Sequence, residues 1–263
     1  MDGAGARPSG RIHSMDELRG FAVFCMVFFH GFYTAGFLFG SEIGLYFFRF
    51  FTPAEPFFAG MFIFISGVAC NLSHSNLGRG LKLLAVALGV TLVTGVFLPE
   101  DIITFGILHF LAVCMVACGL LDRRAAAKAA RRRFAWYQPA ACAALYLLTR
   151  GVPSGFLGPG GALSLPLPGA LYASGWLAPL GLPGPGFASA DYFPLLPWAF
   201  VFAAGVFTGR LAREGKFPAF LYPQRVPALS WLGKHALLIY LAHQPVIYGA
   251  ALMISALMKR LAP

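Results

Sequence analysis

Charged residues are scarce in this sequence. Asp, Glu, Lys and Arg together make up 11% of its 263 residues, against about 25% in a typical soluble domain. The 10 acidic residues are outnumbered by 27 Phe, and 58% of the chain is hydrophobic. A soluble fold of this size could not cover so apolar a surface, which excludes a disordered chain and an ordinary cytosolic enzyme. The composition is typical of a polytopic membrane protein.

Cysteine is also rare, and its distribution excludes a disulfide scaffold. All of the cysteines lie in apolar stretches without a paired spacing pattern: Cys25, Cys70, Cys114, Cys118 and Cys142. Cys114 and Cys118 share one predicted helix face, but no His or Cys partners accompany them as in a zinc site. We therefore expect small buried hydrophobic residues and no bound metal.

Long apolar runs dominate the rest of the chain. A run of about 20 apolar residues is long enough to cross a bilayer as an α-helix. The sequence therefore predicts an all-α transmembrane helix bundle of about seven spans, preceded by a cytoplasmic tail over 1–15 and forming one domain over 16–258. Asp16 and Glu17 are out of place in a signal peptide, so we expect the first span to be retained. The predicted spans are 18–39, 55–75, 81–98, 103–121, 134–150, 192–212 and 229–257.

The basic residues predict the orientation of the bundle. With the N-terminus inside, 16 of the 20 Lys and Arg residues fall in inner segments and four in outer ones. This bias favours an inside N-terminus and an outside C-terminus in the inner cell membrane. It also supports the weakest span, 134–150, since without it either the 123–133 or the 210–225 basic cluster would lie outside. The net charge of +10 is thereby explained without nucleic-acid binding.

The stretch 151–190 is rich in Gly and Pro and cannot form a regular helix. The predicted topology places it at the outer surface or dipping partly into the membrane. A lid over a cavity and a plain surface connector are both compatible with its composition.

One ionisable pair stands out on the first span. His30 lies about 12 residues into the span, roughly 18 Å deep and near the midplane. Arg19 lies eleven residues earlier and within about 20° of the same helix face. Ionisable side chains at such depth often indicate function. The alternative is a histidine satisfied by a neighbouring helix and an arginine that reaches the lipid headgroups.

The last span carries a second polar group near the midplane. His243 is followed by Gln244 and Pro245, and Tyr240 shares a helix face with Gln244. Pro245 removes a backbone donor and leaves the carbonyl of Leu241 without its helical partner. Such a run either lines a polar cavity or bridges helices.

Three further residues are weaker candidates. His109 lies about a third of the way in from the outer face. Asn71 belongs to a polar stripe with Ser66 and Gly67, for which close helix packing is the alternative. Asp191 begins the sixth span, where it could cap the helix.

A neutral imidazole in such a bundle can act as a general base or accept an acyl group. The basic inner loops could attract an anionic donor such as a nucleotide-linked thioester. The sequence contains no Gly-rich phosphate loop, metal-ligand spacing or nucleophile elbow. From the residues alone, the prediction is a membrane bundle with a histidine-lined cavity.

Several motifs in order along the chain carry a family resemblance. The run Asp16-Glu17-Leu18-Arg19-Gly20, followed by Met26-Val27-Phe28-Phe29-His30, resembles the opening motif of membrane acyltransferases. The whole chain resembles the bacterial heparan-alpha-glucosaminide N-acetyltransferase catalytic-domain-like family. The other matching pieces are Phe64-Ile65-Ser66-Gly67, Phe105-Gly106-Ile107-Leu108-His109, the Asp191 to Trp198 run, and Ile239-Tyr240-Leu241-Ala242-His243-Gln244-Pro245.

The resemblance implies transfer of an acetyl group from cytosolic acetyl-CoA to a sugar or amino-sugar acceptor, on oxygen or nitrogen. It implies that His30 is catalytic, as base or acyl acceptor, and that Arg19 lies near the CoA. The expected partners are the lipid bilayer, acyl-CoA and a glycan-type acceptor, with a homo-oligomer left open. The residues expected to line the cavity or bind substrate are Asp16, Asn71, His109, Asp191, Tyr240, His243 and Gln244.

Two other functions compete with acyl transfer. The histidines could relay protons in a transporter of a small polar solute, although the lack of an internal repeat counts against this. The chain could also be a non-catalytic component of a membrane assembly.

Overall fold

The computed structural model describes residues 10–126 and 133–261, and the chain in these ranges is mostly α-helical. Phe156–Leu157 (β1) and Leu165–Pro166 (β2) form an antiparallel hairpin. Residues 1–9 of the predicted tail, with Arg7, and the basic residues Lys128, Arg131 and Arg132 lie outside the described residues. The helices are α1 His13–Tyr33, α2 Glu42–Phe51, α3 Glu55–Cys70, α4 Asn76–Phe97, α5 Ile107–Ala126, α6 Tyr137–Thr149, α7 Leu195–Arg213, α8 Pro227–Lys234 and α9 Ala236–Leu261.

Within the described ranges, five helical stretches are long and apolar enough to cross a membrane, which confirms an all-α membrane bundle. They are His13–Leu38, Glu42–Cys70, Asn76–Phe97, Leu195–Arg213 and Ala236–Leu257. The two other predicted spans correspond to α5 and α6. The 13 residues of α6 extend only about 20 Å, less than the thickness of the hydrocarbon core. In α5, the charged Asp122 and Arg123 shorten the apolar stretch. Seven spans and their orientation therefore stay predictions.

Three helix boundaries differ from the sequence prediction. The first helix begins at His13 rather than at residue 18, and it ends through a π-helical turn, Thr34–Leu38, close to the predicted end at residue 39. The predicted outer loop after it is instead mostly helical, because α2 joins α3 through a short turn, Thr52–Ala54. Pro53 fits early in that turn, where a helix needs no N–H donor. The last predicted span is divided at His235 into α8 and α9.

The chain forms two compact units. The described residues of Met1–Ile65 and Phe217–Pro263 make the first, and those of Ser66–Lys216 make the second. In the first unit, α1 packs against α2, α8 and α9. In the second unit, α4 packs against α5, and α6 packs against α7.

Two glycines bring α1 and α8 into backbone contact in the first unit. A Cβ atom added to Gly20 would lie 1.9 Å from the carbonyl oxygen of Leu229. A Cβ atom on Gly233 would lie 1.9 Å from the carbonyl oxygen of Asp16. Small residues allow this approach between membrane helices, where packing rather than hydrophobic exclusion drives association. The contact sets the register of α1 against the chain of α8 and α9.

A buried carboxylate reinforces the same junction. The Glu17 side chain, 7% exposed, accepts hydrogen bonds at Oε1 from the backbone N–H groups of Arg225 (2.6 Å) and Val226 (2.8 Å). These groups directly precede α8, whose first N–H groups have no partner within the helix. The negative charge also favours the N-terminal end of the α8 dipole. Glu17 therefore ties the start of α8 to α1.

The Gly- and Pro-rich stretch belongs to the second unit. It consists of the β1–β2 hairpin and short 3-10 turns, in agreement with the expectation that it forms no regular helix. Two tyrosine hydroxyls hold it: Tyr172 donates to the carbonyl of Val152, and Tyr192 donates to the carbonyl of Ala178 at 2.6 Å. Burial raises the pKa of both phenols, that of Tyr192 to about 12. Whether the stretch acts as a lid stays a prediction.

Tyr192→Phe is expected to loosen this stretch, because it removes a hydrogen bond contributing about 1 kcal/mol. Hydrogen exchange over 151–190 should accelerate about fivefold, with the exposed Tyr137→Phe as control. The raised pKa of Tyr192 also predicts a pH dependence. The stabilisation is complete below the ordinary pKa near 10 and is lost as the pH rises toward about 12. Equal exchange in the two variants would contradict this role of Tyr192.

Candidate active site

The first unit brings His30 and His243 together. His30 lies ten residues after Gly20 on α1, and His243 lies ten residues after Gly233. Since the two chain segments run side by side in the same direction from the glycine contact, ten residues, or about 15 Å of helix, bring both imidazoles to one level. Their ring centroids are 5.0 Å apart. His243 is 8% exposed and His30 is partly buried.

Polar neighbours on α9 orient the two rings. The side-chain Nε2 of Gln244 lies 3.1 Å from Nδ1 of His30. The Nδ1 atom of His243 lies 2.6 Å from the carbonyl oxygen of Tyr240, one helical turn earlier. The ring of Tyr240 also lies near that of His243, with centroids 5.6 Å apart. Four of the residues predicted from the sequence therefore meet in one cluster, which we call the histidine pair site: His30, Tyr240, His243 and Gln244.

Arg19 and Asp16 lie elsewhere on α1. Asp16 is 5% exposed and accepts from Nε of Arg11 at 2.6 Å and from Nη1 of Arg19 at 3.4 Å. The hydrogen bond to Asp16 raises the pKa of the Arg11 guanidinium. Eleven residues, or about 16 Å of helix, separate Arg19 from His30. Arg19 therefore lies far from the imidazoles, near the start of α1.

His109 belongs to the second unit and has protein partners at both ring nitrogens. The backbone N–H of Gly106 donates to Nδ1 at 3.3 Å, so the ring proton is on Nε2. That proton points to Oγ1 of Thr91 at 3.0 Å, and the Thr91 hydroxyl donates to the carbonyl of Ile103 at 2.6 Å. The ring is 4% exposed. This chain of hydrogen bonds joins α4 to α5 and favours a structural role for His109.

The other two candidates of the second unit also contact backbone. Asp191 could cap the helix that follows it in the sequence, but its Oδ2 accepts from the N–H of Ile107 at 3.0 Å, at the start of α5. The Asn71 amide donates to the carbonyl of Val206 on α7 at 2.7 Å. A Cβ atom on Gly67 would meet the carbonyl of Phe202 at 2.2 Å, which supports close helix packing for this stripe.

No metal centre is visible in the part of the chain that the structure describes. There, no three or more His, Cys, Asp or Glu side chains come together as metal ligands. The five cysteines are free thiols; Cys70, Cys114 and Cys142 are buried, and Cys25 and Cys118 are partly buried.

Sequence reasoning missed four residues that position these groups. In the sequence, Glu17 stood out only as part of the opening motif and as evidence against a signal peptide. A carboxylate buried at the start of a span needs hydrogen-bond donors, and that need was the available signal for a backbone partner. Thr91 gave no signal, because threonine is common in membrane helices. The contact between Gly20 and Gly233 joins positions 213 residues apart and could not be inferred from either position alone.

The fold and this site define a polytopic helical membrane protein with a pair of imidazoles between two apolar helices. The model of the family described as heparan-alpha-glucosaminide N-acetyltransferase, catalytic, matches residues 11–245. The chain therefore belongs to this family and is a membrane enzyme of the acetyltransferase type. The comparisons with curated proteins and with solved structures give no match to the chain.

Proposed function

We propose that the protein transfers an acetyl group from cytosolic acetyl-CoA to a sugar or amino-sugar acceptor at the histidine pair site. The observation that carries the proposal is the contact between His30 and His243, two imidazoles held within hydrophobic helices. Polar groups at such positions are costly and are retained where they serve chemistry. The family match supports acyl transfer as that chemistry.

The distribution of basic residues supports binding of acetyl-CoA from the cytoplasmic side. Acetyl-CoA carries phosphate groups, and the segments predicted to face inward hold most of the Lys and Arg residues. Arg19 near the start of α1 is the arginine proposed to hold the donor, with Asp16 fixing its side chain. The proposal places the protein in the inner cell membrane, with seven spans, an inside N-terminus and a sugar-type acceptor.

His30→Ala tests the proposal in proteoliposomes that contain labelled acetyl-CoA and glucosamine. Loss of an imidazole that acts on the reacting groups should lower turnover by about 10²-fold or more. His74→Ala removes an exposed histidine and should leave turnover unchanged. Treating the product with mild base separates an ester, which is lost, from an amide, which survives, and so distinguishes O- from N-transfer.

Three outcomes would contradict the proposal. Unchanged turnover in His30→Ala would remove the histidine pair from the chemistry. Flux of the sugar without release of CoA would favour the transporter. Absence of both transfer and donor binding in the wild type would favour a non-catalytic component of a membrane assembly.

A further inference from the structure

The hydrogen bonds of His243 determine which of its nitrogens carries the proton. A carbonyl oxygen can only accept a hydrogen bond, so the contact of 2.6 Å with the carbonyl of Tyr240 requires a proton on Nδ1. In the neutral ring, Nε2 then carries a lone pair. This contact follows the helical backbone and does not depend on how a side-chain amide is turned.

The Nε2 atom of His243 is buried and has no hydrogen-bond partner among the described residues. An unpaired buried polar atom costs about 1–3 kcal/mol, and a buried imidazolium without a counter-charge would cost more. The ring as a whole is 8% exposed, so bulk water does not compensate for the missing partner. An orphaned acceptor in a family of enzymes points to a reacting group as its partner.

His30 has the opposite arrangement. The Gln244 amide is turned so that its nitrogen lies 3.1 Å from Nδ1 of His30, and in this orientation it donates, which places the lone pair of His30 on Nδ1 and the proton on Nε2. The two neighbouring rings therefore differ: His243 offers an acceptor and His30 offers a donor. His109 shows the contrast, because both of its ring nitrogens already have protein partners.

We propose that Nε2 of His243 accepts the proton of the attacking acceptor group, while the Nε2–H of His30 stabilises the oxyanion. This division of labour rests on the proposed acyl transfer and assigns to His243 the base role that the sequence suggested for His30. Gln244 is a positioning residue, since it acts through the tautomer of His30.

The proposed step conserves atoms and charge. The acceptor oxygen or nitrogen forms a bond to the thioester carbonyl carbon, and its proton moves to His243. The carbonyl oxygen becomes an oxyanion that accepts a hydrogen bond from His30. The intermediate then collapses and the carbon–sulfur bond breaks. The CoA thiolate takes the proton from Nε2 of His243 and leaves as the thiol. The products are the acetylated acceptor and CoA, and both rings return to their initial state.

Nitrogen NMR of 15N-histidine-labelled protein in lipid vesicles tests the tautomers without any substrate. The sequence has six His, and comparison with His30→Ala and His243→Ala assigns the two signals. We expect a protonated Nδ1 and bare Nε2 for His243, and the reverse for His30. A proton on Nε2 of His243, or a bare Nε2 on His30, would overturn the proposal whether or not the protein transfers acetyl groups.

Kinetics of the full-length protein in proteoliposomes test the roles. His243→Gln should lower kcat by about 10²-fold or more while the KM for acetyl-CoA changes little, because a proton acceptor acts in the transition state. Wild-type kcat in His243→Gln, beside a wild type that transfers acetyl groups, would reject the inference and leave the proposed function standing. A wild type that transfers nothing would instead reject the proposed function, while the NMR result still decides the tautomers.

Two substitutions of Gln244 distinguish a role in orienting the His30 tautomer from a role in filling space. In Gln244→Glu an ionised carboxylate can only accept, so the neutral ring of His30 carries its proton on Nδ1 and loses the Nε2–H donor. Loss of one such donor costs about 10²-fold in kcat. Gln244→Met leaves His30 free to take either tautomer and should lose less activity. Equal losses in both variants, with no change in the His30 signal, would show that Gln244 only fills space and would reject its positioning role.

Discussion

Gly20→Ala is expected to destabilise the protein by about 2 kcal/mol, although it adds only a single methyl group. The new Cβ atom would meet the carbonyl oxygen of Leu229 at 1.9 Å, and a backbone atom cannot turn away as a side chain can. Overpacking of this kind costs about 3 kcal/mol, against a gain of about 1 kcal/mol in helix propensity. Thermal unfolding in detergent should show a fall in Tm of roughly 4–8 °C.

Gly31 provides a matched control on the same helix. Nothing lies within 4 Å of a Cβ atom at this position, so Gly31→Ala should be neutral or stabilise by up to about 1 kcal/mol. Gly233→Ala should behave like Gly20→Ala, because it faces the same contact from the other side. A Tm of Gly20→Ala equal to that of Gly31→Ala would show that the backbones of α1 and α8 do not pack this closely.

Glu17→Ala is expected to cost about 3 kcal/mol, because it leaves the N–H groups of Arg225 and Val226 without their shared acceptor. A hydrogen bond to a charged group contributes about 1.5–3 kcal/mol, and water partly replaces the lost acceptor because Val226 is 44% exposed. Glu17→Gln retains an oxygen at the same position and loses only the charge, so its cost should be about 1 kcal/mol. Urea or thermal unfolding in detergent measures the stabilities, which should fall in the order wild type, Glu17→Gln, Glu17→Ala.

The control for Glu17 is the exposed Glu100, whose replacement by alanine should change stability by less than about 0.5 kcal/mol. If Glu17→Ala were as stable as Glu100→Ala, the two backbone donors would have to find other partners, and the tie between α1 and α8 would be unimportant. The substitutions of Gly20 and Glu17 also affect the proposed chemistry, because the same register of α1 against α8 places His30 beside His243.

The opening motif therefore belongs to a helix that does two things: it packs against α8, and it presents His30 to His243. Asp16 pairs with Arg19, Glu17 holds the start of α8, and Gly20 admits its backbone. Ten residues further on, the same helix carries His30. A motif that was recognised by its resemblance to acyltransferases is thus explained in large part by helix packing that presents the imidazole to its partner.

Apolar length and polar exceptions made much of the architecture predictable. Long hydrophobic runs identify membrane helices, since every backbone group in lipid must be paired within its own segment. The same reasoning singled out His30 and His243, because polar groups stand out against an apolar background. It failed for 42–54, where a Phe-rich stretch with Pro53 was predicted as a loop and instead forms α2 and a short turn leading into α3.

The sequence by itself determined the class of the protein, the approximate positions of its helices and the histidines worth testing. Only the tertiary structure decided which of them meet and what each ring nitrogen contacts. His109, His243 and His30 look alike in sequence, yet one is fully hydrogen-bonded, one has a bare nitrogen and one is oriented by Gln244. The physical reason is that hydropathy is a property of single segments, whereas register and tautomer depend on contacts between residues far apart in the chain.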